Sequence, residues 1–148
     1  MTQQEKNMQT WRDIQACCNR GDWEALATYF DPDFRYINAS RPDLGTYDEW
    51  IKSPMANFTT FPPCRYTIKE MTATDDKVWA YCHHYGVHSG GPYMGIQPTG
   101  NEVNVEWISI VTFNGDKVIR IFSIADVLGM FIQLGVIDRS QLPVNPNR

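Results

Sequence analysis

Between Arg120 and Asp138 the only ionisable side chain is Asp126, set among Ile, Phe, Val, Leu and Met. A carboxylate in apolar surroundings is costly unless it is paired, neutralised or used. Two readings follow. Asp126 either caps a short helix over 127–134, or it is a proton-transfer group with a raised pKa in a dry pocket. A partner for the second role is His88, which ends a strand beside Ser89-Gly90-Gly91. If both strand ends meet at one wall, the two make an acid–base pair; the plainer alternative is a structural Asp–His hydrogen bond. Tyr36 and Asn38 share one face of a strand, and a phenol beside an amide can steady an oxyanion or a water without carrying charge. Each alone also reads as ordinary packing or strand-end bonding.

His83, His84 and His88 raise the question of a metal. On an extended strand His83 points opposite to His84, and His84 and His88 lie ~13 Å apart. No metal site is expected. His83 reads as a surface residue, and His84 as a hydrogen-bonded core histidine or a deep cavity residue. GxGxxG, P-loop and GxSxG patterns are absent, and no cysteine sits in a nucleophile motif. Any catalysis is then cofactor-free proton transfer.

These residues must be held by elements that the rest of the chain specifies. Met8, Trp11, Ile14 and Cys18 recur at spacings of three and four, which predicts an amphipathic helix over 4–18. Asp22 can cap a short helix over 23–30, Asp31-Pro32-Asp33 reads as a turn, and 34–38 as a strand. Thr46-x-x-Glu49 is a capping box, so a third helix should cover 47–57, with Pro54 kinking or stopping it. Strands follow at 64–71, 78–88, 102–113 and 117–126, with a Gly/Pro loop over 89–100 and a tight connection at Asn114-Gly115-Asp116. Helices followed by antiparallel strands define an α+β fold, read as a single domain over 1–148. A curved sheet with helices on its concave side leaves a cone with one open end. On the 78–88 strand, Val78, Ala80, Cys82, His84, Gly86 and His88 share the face expected to point inward.

Composition bounds the partners. Apolar residues make up 43% and charged residues 20% of the 148-residue chain, which fits a folded protein. The net charge of −4, with no Lys/Arg cluster, argues against nucleic acid. No apolar run approaches membrane-spanning length. The aromatic content of 13% suits a pocket for a flat or cyclic ligand. The four cysteines match neither a zinc nor a CxxC spacing, and the polar start MTQQEKNMQT has no apolar signal region, so a reduced, cytoplasmic protein is expected.

Four segments carry a family resemblance: NRGDWEALATYFDPDF (19–34), YGVHSG (85–90), MGIQPTG (94–100) and DVLGMFIQLG (126–135). A GxxPTG loop followed by D-x-LG-x-x-x-QLG is the most specific part. The chain resembles the SnoaL-like polyketide cyclases, in the superfamily of cone-shaped proteins that also holds ketosteroid isomerase, limonene epoxide hydrolase and nuclear transport factor. The resemblance implies an apolar cavity, a homo-oligomer (dimer or tetramer) packed through its sheet, and an intramolecular aldol cyclisation or isomerisation of a hydrophobic carbonyl compound. It implies Asp126 as the acid/base and His88 as its hydrogen-bonding partner. Tyr36, Asn38, His84, Trp50, Trp107 and Phe122 are the expected substrate contacts. Ile121-Phe122 stands where many members have His-Trp, and His84 stands at a position that is usually apolar. Tyr36-x-Asn38 is similar to the water-holding Tyr-x-Asn of limonene epoxide hydrolase, but Gly86 and His88 replace other parts of that set. A non-catalytic binding or assembly module is the remaining alternative.

Overall fold

A computed structural model describes residues 1–143. The order is α1 (Gln3–Arg20), α2 (Trp23–Ala27), β1 (Phe30–Ile37), α3 (Tyr47–Trp50), α4 (Lys52–Thr60), β2 (Arg65–Thr74), β3 (Lys77–Val87), β4 (Glu102–Asn114), β5 (Lys117–Ala125) and α5 (Val127–Gln133), then a 3₁₀ turn at Arg139–Gln141. The five strands form one curved sheet in the order β1-β5-β4-β3-β2. Only β1 runs parallel to its neighbour, β5. This is the α+β cone expected from the sequence.

Local chemistry sets the boundaries. Thr2 caps α1 through a capping box with Glu5, and Gly21 closes it in the left-handed conformation at φ 70°. The predicted helix over 47–57 is two helices. Thr46 and Glu49 form the expected box on α3, and α4 restarts at Lys52. Pro54 then falls in the first turn of α4, where its missing N–H is not needed. The strand predicted from Phe34 begins earlier, at Phe30, and Asp31-Pro32-Asp33 is its bulge: pairing jumps from Phe30–Val118 to Arg35–Arg120.

Alternation along β3 buries Val78, Ala80, Cys82, His84 and Gly86 and leaves Trp79 outward. Val78, Ala80 and Cys82 meet Trp11, Ile14 and Cys18 of α1 in the main core, with Phe34, Trp50, Val111 and Ile121. A smaller cluster of Phe61, Val103, Val105, Met130 and Leu134 seals the end where α5 lies. Gly86 permits one close crossing: a Cβ there would sit 2.5 Å from the Phe61 carbonyl oxygen.

Candidate active site

The concave face and its helices enclose a cavity of about 360 Å³. Trp11, Trp50, Tyr66, Trp107, Ile121 and Met130 give it largely apolar walls. Tyr66, on β2, is central: its ring lies 4.8 Å from Phe58, 5.0 Å from Trp107 and 5.4 Å from His84 in edge-on contacts.

The polar groups on this wall are mostly tied to one another. Asn38 Nδ2 donates to the Tyr36 hydroxyl at 3.0 Å, and Asn57 Nδ2 to the Tyr66 hydroxyl at 2.8 Å. The Trp107 indole N–H donates to Ser109 Oγ at 3.1 Å, which shares a 2.8 Å bond with Ser123 Oγ across β4 and β5. No Asp or Glu lines the cavity among the described residues. Its charged members are Lys52 and Arg41, and Arg41 is held by Asp43 through bonds of 3.1 and 2.9 Å.

His84 is different. It is 4% exposed, packs edge-on to Phe61 and Tyr66, and its Nε2 has no hydrogen-bond partner among the described residues. Burial, with a further push from His83, lowers its pKa to about 4, so the imidazole is neutral at pH 7. Burying a polar atom without a partner costs roughly 1–3 kcal/mol. His84 therefore carries a cost that packing alone does not explain.

The structure divides the expected site residues. Tyr36, Asn38, His84, Trp50 and Trp107 line the cavity. Phe122, Asp126 and His88 do not. On β5 the inward residues are Ile121, Ser123 and Ala125, so Phe122 and Asp126 belong to the alternate face, with Ile124 at 62% exposed. Asp126 is exposed and caps α5, its Oδ1 accepting the Gly129 N–H at 2.9 Å. Gly129 is what lets the carboxylate lie there, since a Cβ would meet Asp126 Oδ2 at 2.1 Å. The dry surroundings inferred from neighbouring apolar residues are therefore absent, because those neighbours face the other way or the solvent.

The expected Asp126–His88 contact is not made either. His88 is fully buried, donates from Nε2 to the Gly91 carbonyl at 2.9 Å and accepts the Thr99 N–H on Nδ1 at 3.3 Å. Backbone bonds from His88 N to Asn101 O and from Gly100 N to His88 O complete the clamp. His88 ties the two ends of the 89–100 loop.

Gln15, Tyr66, Ser109 and Ser123 are cavity residues that the sequence reading missed. The signal for Gln15 was its position four residues after Trp11 on the buried face of α1; for the serines it was a polar residue on a buried strand face. Among the described residues no group of three His, Cys, Asp or Glu is placed to hold a metal, and no helix is long and apolar enough to cross a membrane.

A cone with an apolar cavity is a fold shared by proteins of several activities, and comparison defines which branch this is. The sequence profile of the SnoaL-like polyketide cyclases matches residues 8–134. The chain belongs to that family. No curated protein matches it. Among solved structures, a protein of Jannaschia sp. CCS1 assigned as a SnoaL-like polyketide cyclase superposes with a TM-score of 0.82 at 20% identity, covering 93% of this chain and 96% of its own. AclR of Streptomyces galilaeus, assigned as a hydroxylase, gives 0.81 at 20% identity, with 90% and 98% covered. IdmH of Streptomyces antibioticus, assigned as a polyketide cyclase, gives 0.76 at 24% identity, with 87% and 98% covered. At these identities the likeness is one of fold.

Proposed function

We propose that the chain is an enzyme that isomerises or cyclises a hydrophobic, carbonyl-bearing small molecule by proton transfer inside the cavity, with His84 as the proton acceptor. The observation that carries this reading is the buried His84 imidazole, unpartnered at Nε2, in an aromatic wall that contains no carboxylate. The imidazole would take a proton from the carbon next to the carbonyl, leaving an enolate. Burial disfavours an isolated imidazolium, but an adjacent enolate offsets that cost. Return of the proton to another atom completes an isomerisation. In a cyclisation the enolate carbon bonds to a second carbonyl carbon, and the new alkoxide takes the proton. The hydroxyls of Tyr36, Tyr66 and Ser109 are the neutral groups available to steady the developing charge.

Asp126 and His88 have positioning roles in this scheme. Asp126 fixes α5, whose Val127 and Met130 close the cavity, and His88 holds the loop beyond Phe61. The test is deuterium incorporation from D₂O next to the carbonyl of 2-tetralone and similar hydrophobic ketones, followed by NMR. Wild type and Asp126→Asn should accelerate exchange over buffer, and His84→Phe should not. Loss of exchange in Asp126→Asn alone would return the role to the aspartate. Ligand binding with no exchange in wild type would favour a non-catalytic carrier, and oxygen-18 uptake from water into an epoxide would favour a hydrolase. The exposed apolar residues Trp79, Ile108 and Ile124 on the convex face support pairing of two copies.

A further inference from the structure

The convex face of the sheet has a polarity that its apolar residues alone do not show. Strand register lays the outward side chains in rows that step roughly 7 Å along the strands. Arg35 on β1 is opposite Arg120 on β5, and Arg120 is opposite Thr112 on β4. Both arginines are exposed, because their neighbours Tyr36 and Ile121 take the cavity side. The next row is Ile37, Phe122, Ile110 and Trp79, and the one after it is Ile124, Ile108 and Tyr81. Glu106 on β4 follows, beside His83 on β3. The face therefore runs from basic, through two apolar rows, to acidic.

Like charges directly opposite each other in a sheet destabilise it. Arg35 and Arg120 are nevertheless register partners, and neither pairs with a carboxylate among the described residues. Arg35 Nη1 donates instead to the Phe34 carbonyl at 2.9 Å. At the other end Glu106 meets Lys69 at 3.9 Å, and its side chain stays 55% exposed. Each end carries charge that its own chain leaves largely unmatched.

A second copy of the chain can match both ends at once. Two copies related by a two-fold axis present the same face to each other. Sheets packed face to face keep their strands within about 30° of aligned, which leaves two arrangements. An axis along the strands sets each row against itself, so cations face cations. An axis across the strands reverses the rows, bringing the arginines over Glu106 and the two apolar rows over one another. The second arrangement alone matches both the charge and the apolar surface. We infer that two copies pack through the convex face with their strands antiparallel, each copy's Arg120 lying over the partner's Glu106. This rests on the pairing of two copies proposed above and adds its direction and its ionic contacts.

The test is sedimentation equilibrium of the whole chain over a range of salt, with charge reversals at these two exposed positions. The wild-type dimer should weaken as salt rises. Arg120→Glu and Glu106→Arg should each raise the dimer Kd about 10-fold or more, by setting like charges together. Arg120→Glu combined with Glu106→Arg should recover the wild-type Kd, because the pair re-forms with its signs exchanged. Unchanged single variants, no recovery in the double, or a dimer that tightens with salt would overturn the antiparallel arrangement while leaving the pairing in place. A wild type that stays monomeric would overturn both.

Discussion

At the scale of single residues, strand alternation separates an exposed carboxylate from a buried imidazole. Asp126 is conspicuous as a lone carboxylate, yet it is an exposed helix cap just past the end of β5, whereas His84 shares the inward set of β3 with Val78 and Cys82. Replacing the cap should separate helix from chemistry: Asp126→Ala should cost about 1 kcal/mol of unfolding free energy and Asp126→Asn little, as read by urea denaturation. His84 predicts a pH effect of definite sign. Its folded pKa of about 4 lies below the ordinary 6.5, so between those values the unfolded chain binds more protons. The stability that depends on a neutral imidazole is fully present above 6.5 and is lost as pH falls to about 4. The loss is of order 3 kcal/mol. Stability curves for His84→Phe should lack that portion of the slope, and overlapping curves for the two proteins would contradict it.

At the scale of elements, much of the fold was legible. The capping box at Thr46 and the inward face of β3 follow from spacing alone. The bulge at Asp31-Pro32-Asp33 was not, because the same residues favour a turn and only pairing with β5 makes them part of a strand. Half of the site was legible for a related reason. Tyr36, Asn38 and His84 are read from alternation, but Gln15 and Tyr66 become cavity residues only when α1 is laid across the sheet. The loop bonds of His88 were not legible, because a buried histidine at a strand end looks the same in sequence whether it serves a ligand or a loop. Its two bonds, to Gly91 and Thr99, predict that His88→Ala will speed amide exchange across 89–100 well above any change in β3. Uniform protection in both segments would show that the loop does not depend on the ring.

At the scale of the whole molecule, concave and convex faces of one sheet divide the labour. The cavity takes the inward residues, and the outward set leaves Trp79 43%, Ile108 49% and Ile124 62% exposed, with Ile108 and Ile124 directly opposite in the β4–β5 register. Sedimentation should find a dimer that Ile124→Lys converts to monomer; an unchanged wild-type monomer would sink the pairing. The parallel edge has a consequence in time. β1 hydrogen-bonds to β5, so a strand near the start of the chain waits for the last strand to be synthesised. Such long-range pairing makes for slow closure. On the ribosome, Tyr36 and Ser123 would be brought to one wall only after nearly the whole chain had emerged. Until then the nascent protein would carry an unpaired β1 edge, a segment open to wrong partners.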